Sequence, residues 1–356
     1  MKKTAFKKVM SLLLALALGI TLSACGKTTA PSTDTKDNTG TTDNSGTKPD
    51  TGKKYTIVTV PKLTSIAWFQ RMEQGVKKYA KDSGMDAYYT GPATGDAALQ
   101  AQVIEDLIAK KVDAICVVPF STEALEPVLK KAREAGILVI SHEAANMTNI
   151  DYDIEAFDND AYGEHFMEKL GKLTGGKGAY IQEVGALTSQ SHKQWTDAAK
   201  ALQTKSFPSM TMFGDKIETK DDQSVSYEKV KEVLKSNPNI AGIQGSAMGD
   251  VAGAALAVEE AGLTGKVKVV GTSLVSVSGK YIKSGTIDMI SFWDPADAGY
   301  AMNVLAEKIL SGEKVTDGMN LDVSGYEKLT LKDKVLTGKA WVDVDKSNVD
   351  DSKYNF

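Results

Sequence analysis

TIVTVPKLTSIAWF, Thr56–Phe69, is the stretch whose reading decides the fold. The β-branched run TIVTV stops at Pro61, which has no N–H to give to a sheet ladder. Trp68, Phe69, Met72, Val76, Tyr79 and Ala80 then recur at helical spacing. A strand, a short mouth and a helix open an α/β sheet. Where many such proteins carry a glycine-rich phosphate loop, this mouth carries Lys62, small hydroxyl residues and two adjacent aromatics.

The same alternation continues outward. AICVV, ILVIS, GAYIQEV, AGIQGS, KVKVVGTS and IDMISFW read as further buried parallel strands. Between them lie amphipathic patterns such as Leu99, Val103, Ile104, Leu107 and Ile108, and several helices end at glycine: Gly84, Gly136, Gly262 and Gly312. Three or four strand–helix units precede FDND, Phe157–Asp160, and about four follow it. Two doubly wound parallel-sheet lobes therefore fit better than one very wide sheet. From Glu313 to Phe356 the alternation is lost, and short strands and loops returning across both lobes are expected.

The first residues are of another kind. A basic start, MKKTAFKKVM, precedes the apolar SLLLALALGITL and then LSAC, ending at Cys25, which reads as a secretory signal over residues 1–25. The apolar run is shorter than a membrane span requires. LSAC resembles the lipobox of bacterial lipoproteins, which implies that Cys25 is lipidated and anchors the protein outside the cytoplasmic membrane. Residues 26–54, rich in Thr, Ser, Asp and Gly, cannot bury enough apolar surface to fold and read as a flexible tether. Cys116 then remains as a lone cysteine in an apolar strand, expected to be a small buried hydrophobe with no disulfide and no metal site. The formal charge of −4, with no basic cluster, argues against nucleic acid as a partner.

Ligands of open α/β sheets lie beyond the carboxyl ends of the strands, so the strand ends are the candidate site. Enzyme motifs are missing there: in QGSAMG the serine directly follows Gly245, unlike the G-x-S-x-G elbow, and no phosphate-loop or dinucleotide fingerprint occurs. His142, His165 and His192 lack metal-ligand spacing with one another, so neither a metal, a cofactor nor catalysis is expected. The ends do suit a neutral, hydroxyl-rich molecule. Sugars offer C–H faces to aromatic rings and hydroxyls to charged or amide partners. Trp68, Phe69 and Trp293 can supply faces, and Lys62, Glu143, His192 and Asp294 hydrogen bonds. Each has a plainer reading: Trp68 and Phe69 as core, Glu143 as a solvated loop acid, and Asp294, before Pro295, as a helix cap. His142 is expected to support rather than bind, and Trp195 and His165 to be structural.

VPKL with WF, YYTGP, VDAICVVPFS, AREAGILVIS, VVGTS, SGTID, SFWDP and the closing KYNF, in this order, resemble the extracellular sugar-binding proteins of ABC importers, of the ribose-binding type. More narrowly they are similar to the subgroup containing rhamnose-binding proteins and autoinducer-2 receptors. The resemblance implies a type I periplasmic binding protein whose lobes are joined by a three-crossing hinge near Asp158, Asp294 and Leu321. It divides the chain into a first lobe of residues 55–158, completed by about 295–321, and a second of 159–294, completed by about 322–356. It implies a monomer that closes over a monosaccharide, deoxy-sugar or polyol and delivers it to an ABC permease. Against the autoinducer-2 pattern, Lys62 and Ala247 match, Glu143 stands for an aspartate, Ser191 and His192 stand for an Asp-Gln pair, and Gly245 stands for a proline. Against the ribose pattern, Trp68 and Phe69 match the stacking aromatics, and Ser273 stands where an acid is usual. Sugar-responsive repressors share the fold but need an N-terminal helix-turn-helix, where this chain has a signal and a tether.

Overall fold

The structure, a computed structural model, describes residues 53–356. The signal, Cys25 and the tether up to residue 52 lie outside the described residues.

The first sheet is built from β1 (Thr56–Val60), β2 (Asp86–Tyr89), β3 (Ala114–Val117), β4 (Leu138–His142) and β5 (Tyr152–Glu155). Helices α1 (Ala67–Ser83), α2 (Ala97–Lys110) and α3 (Thr122–Glu134) connect its first four strands. The second sheet contains β6 (Lys177–Val184), β7 (Ser209–Met212), β8 (Ile217–Glu218), β9 (Ile240–Gly245), β10 (Lys268–Thr272) and β11 (Met289–Phe292). The helices of this half are α4 (Asn159–Leu173), α5 (Gln190–Ser206), α6 (Gln223–Ser236), α7 (Asp250–Glu260) and α8 (Val275–Ser284). After α9 (Pro295–Leu310) come three short strands, β12 (Thr330–Lys332), β13 (Val335–Thr337) and β14 (Val342–Val344). The orders are β12-β13-β5-β4-β3-β1-β2 and β14-β11-β10-β9-β6-β7, with β8 beside β6. All strand pairs are parallel except β12 with β13 and β11 with β14. Two α/β lobes with mostly parallel sheets are thus present, as the alternation predicts.

The strands read as continuous apolar runs because both faces are covered. In β1, Val58 and Val60 pack with Ile115 and Val117 under α2 and α3, while Ile57 turns to the other face beside Met72 of α1. Cys116 lies on that second face, fully buried, as a small hydrophobe against α9. From the same helix, Asn303 Nδ2 donates to Thr59 Oγ1 at 2.9 Å, fixing α9 to β1.

The chain leaves the first sheet after β5, returns after β11, and passes over again between β13 and β14. This third passage, at residues 338–341, corrects the expectation of a crossing near Leu321 and of residues 322–356 completing the second lobe: β12 and β13 extend the first sheet, with Leu336 opposite Ile154. Strands of three residues are too short to show a period, so the sequence carried no signal for their sheet.

Helices α4 and α5 pack tightly because Gly163 has no side chain; a Cβ there would sit 2.2 Å from the Trp195 carbonyl oxygen. Gly163→Ala is expected to destabilise the protein by about 1–3 kcal/mol through that backbone clash. An unchanged denaturation midpoint would contradict this packing.

Candidate functional site

Lys62 follows Pro61 at the end of β1, and its position is set by Gln100 of α2. The Gln100 Nε2 donates to the carbonyls of Pro61 (2.9 Å) and Val118 (2.8 Å), and its Oε1 accepts from Phe120 N (2.9 Å). One buried amide thus ties together the carboxyl ends of two strands.

Glu143 follows β4 with a left-handed φ of 61°, unusual for a residue with a side chain. Asp153 of β5 holds the turn by accepting from Ser141 Oγ (2.6 Å) and Ala144 N (3.2 Å), on either side of the His142–Glu143 pair. Lys62 Nζ donates to Glu143 Oε2 at 3.0 Å, and Ser191 Oγ, from α5 beside the second sheet, donates to the same oxygen at 2.9 Å. Lys62 and Glu143 are only 3% and 5% exposed. Burial pushes the Glu143 carboxyl up, but the charge of Lys62, with His142, His192 and the hydrogen bond from Lys62, together outweigh it and bring the carboxyl down to about 2. Burial works against the Lys62 charge, but Glu143 and then Asp221 overcome it, so its pKa is raised. The pair is therefore ionised, and its hydrogen bonds link the two sheets across the cleft.

Aromatic rings form the opposite wall. Trp293, at the end of β11, meets Trp68 edge-on at 4.6 Å between centroids, Phe157 at 5.1 Å and Trp195 at 6.0 Å. The cleft is lined by Lys62, Trp68, Phe69, Glu143, His192 and Ala247, together with Trp293 and Trp195. The space left between them is narrow, about 20 Å³, on the order of a single water. His192 is pushed down to about 3, by burial and then by Lys62, so it is neutral; its Nδ1 accepts from Gly185 N at 3.0 Å. His142 is buried beneath Glu143 with its Nδ1 on the Ile154 carbonyl, a supporting position.

Two expected ligand contacts lie elsewhere. Asp294 forms a two-point ion pair with Arg71 (2.9 and 2.6 Å) and caps α9 through Ala296 N (2.8 Å). Its carboxylate is fully used there and does not line the cleft. Ser273 bonds the Met248 carbonyl (2.8 Å) and Ser278 Oγ (2.7 Å), closing off the strand end instead of facing the cleft. Conversely, Trp195, expected to be structural, does both tasks: its Nε1 donates to Asn159 Oδ1 at 2.6 Å while its ring lines the cleft. Asp221, Ser246, Met248 and Thr272 also reach the cleft. Asp221 had no sequence signal, since it follows a two-residue strand in a polar run. Among the described residues no cluster of His, Cys, Asp or Glu could hold a metal ion.

Residues 57–314 match the family described as the periplasmic binding protein domain, and the chain belongs to that family. It is 30% identical over 257 residues to the D-allose-binding periplasmic protein of Escherichia coli (strain K12), covering 68% of this chain and 80% of that protein. It is 28% identical over 347 residues to the xylitol-binding protein of Mycolicibacterium smegmatis, covering 93% of this chain and 91% of that one. In fold it resembles an ABC transporter solute-binding protein from Clostridium phytofermentas solved with L-rhamnose (TM-score 0.77, 21% identity, 85% of this chain and 98% of that chain). It is a solute-binding protein of sugar ABC import that works outside the cytoplasm, not an enzyme. No helix among the described residues is long and apolar enough to cross a membrane.

The floor of the site makes a pH prediction. Burial pushes Asp153 and Asp250 up to about 7, and raises Glu155 and Glu183 as well. Groups with raised folded pKa values stabilise fully below the unfolded carboxyl range, roughly 4, and lose that contribution as pH rises through about 7. Glu143 is opposite in sign, and its contribution is lost as pH falls through about 2; His192, pushed down to about 3, also favours higher pH, but only up to the ordinary histidine value of about 6.5 and against four carboxyl groups. The thermal midpoint is therefore expected to be higher at about pH 5.5 than at about pH 8.5. A midpoint that climbs between those values contradicts the assignment.

Proposed function

We propose that this protein captures a monosaccharide, a deoxy-sugar of the rhamnose kind or a small polyol by hinge closure and releases it to its permease as a monomer, with Cys25 lipidated as the membrane anchor. The supporting observation is the Lys62–Glu143–Ser191 chain facing the wall of Trp68 and Trp293. A sugar ring can stack on that wall while its hydroxyls exchange places with Ser191 on Glu143. The relatives that bind D-allose and xylitol, and the fold neighbour holding L-rhamnose, agree with such a ligand. With about 20 Å³ between the walls, entry requires the lobes to part. Closure then follows from contacts that the ligand makes to both lobes only when they are together. A misplaced hydroxyl would leave a buried partner unpaired, so discrimination between stereoisomers should be strong.

Autoinducer-2 is the second reading, since Lys62 and Ala247, which match that receptor pattern, both line the cleft. It ranks lower because Ser191 and His192 replace the Asp-Gln pair, and His192 Nδ1 is already engaged by Gly185 N.

Thermal-shift titration with D-allose, xylitol, L-rhamnose and autoinducer-2 tests the ligand class. At least one sugar or polyol is expected to raise the midpoint, by about 2.7 kcal/mol of stabilisation at a hundredfold excess over Kd. A response to autoinducer-2 alone would sink the sugar reading. Glu143→Ala should weaken binding by about 1–3 kcal/mol, whereas Asp294→Ala should lower the ligand-free midpoint and leave affinity unchanged. For the anchor, Cys25→Ser is expected to release the protein from the membrane fraction of its host; continued membrane retention would contradict lipidation at Cys25.

A further inference from the structure

Asp221 stands apart from every other charged group of the cleft. It is 8% exposed, yet among the described residues its carboxylate has neither a hydrogen-bond partner nor an ion pair within reach. Its neighbour Asp222 does the structural work of this turn, capping α6 by accepting from Ser224 N (2.7 Å) and Val225 N (3.3 Å). Asp221 is left to point inward, on a backbone where Lys220 and Asp221 both adopt left-handed φ values, 60° and 55°.

The carboxylate lies where two spaces join. It lines the narrow inner cleft and also an outer chamber of about 450 Å³. Ile66 and Thr94 line that chamber from one lobe, and Lys220, Gln223 and Met248 from the other. Its seat is shaped for it: a Cβ on Gly185 would come within 2.4 Å of Asp221 Oδ1 and 2.7 Å of both Cγ and Oδ2. Glycine at the end of β6 thus lets the carboxylate lie flat against the backbone at the throat.

We propose that Asp221 is the ligand-selecting carboxylate of this cleft, accepting hydrogen bonds from two adjacent hydroxyl groups of the bound sugar or polyol at the throat between the inner and outer chambers. This rests on the reading of the ligand as a sugar or polyol. Glu143 is less suited to that role, because its Oε2 already accepts from Lys62 and Ser191. A carboxylate offers two parallel acceptors that a vicinal diol matches, and such charge-assisted bonds strengthen where water is excluded. A ligand lacking either hydroxyl leaves part of a buried charge unpaired. The surroundings agree: Lys62 is the cation that favours the charge of Asp221, Glu143 and Glu218 oppose it, and Asp221 in turn disfavours the charge of Asp250. Burial leads these effects and raises the carboxyl above its ordinary value.

A residue kept unpaired for a ligand destabilises the free protein, whereas a residue serving structure stabilises it. Asp221→Asn and Asp221→Ala are therefore expected to raise the ligand-free thermal midpoint at about pH 8, with the gain shrinking as the pH is lowered and the wild-type carboxyl takes up its proton. Titrated with D-allose, xylitol and L-rhamnose, both variants should lose at least ~10-fold in affinity for whichever probe binds the wild type. A ligand-free midpoint that is unchanged or lower in both variants overturns the proposal, as does unchanged affinity. If no probe shifts the wild-type midpoint, that failure falls on the sugar reading, and the ligand-free comparison alone decides the role of Asp221.

Discussion

A lysine and a glutamate, buried and 3.0 Å apart at the ends of β1 and β4, the two strands that flank β3, are the constraint on which the cleft depends. Two charges removed from water are costly unless each is paired and hydrogen-bonded. The fold meets this demand locally. Gln100 fixes the strand end before Lys62, Asp153 holds the left-handed turn at Glu143, and Ser191 supplies the carboxylate's second donor from the other lobe. Breaking the pair would leave an uncompensated charge, so its geometry is strongly enforced. The same demand couples the lobes, because Glu143 is better satisfied with Ser191, or a ligand hydroxyl standing in its place, than without either.

The aromatic wall supplies the complementary property. Trp293 is in contact with Trp68, Phe157 and Trp195, which come from three other places in the chain. Trp68 begins α1 in the first lobe, Trp195 belongs to α5 in the second, and Phe157 sits at a crossing between them. Any rotation of the lobes about the crossings must slide these rings past one another. An apolar contact tolerates such sliding better than a hydrogen bond does, which suits a cleft that opens and closes.

Much of this was legible in the sequence, for definite reasons. Buried parallel strands appear as unbroken β-branched runs, and helices covering them as three-and-four spacing, so the two α/β lobes could be read directly. Lys62, Trp68, Phe69 and Glu143 were found because each sits at the carboxyl end of a strand or just beyond it. Asp294 and Ser273 satisfied the same positional rule and proved to be occupied elsewhere, by Arg71 and by Ser278. A strand end limits where a side chain starts; it does not show what already holds that side chain. Asp221 was missed for the converse reason. Its seat is formed by Gly185 on another strand, and β8 before it is only two residues long. The third crossing was misplaced because β12 to β14 have three residues each, too few for a pattern.

The most direct test of the account is a crystal structure with whichever of D-allose, xylitol and L-rhamnose binds. The account predicts a ring stacked on the wall formed by Trp68 and Trp293, with one of its hydroxyls on Glu143 in the place of Ser191. Ligand seated outside that wall, with Glu143 still bonded to Ser191, would contradict it.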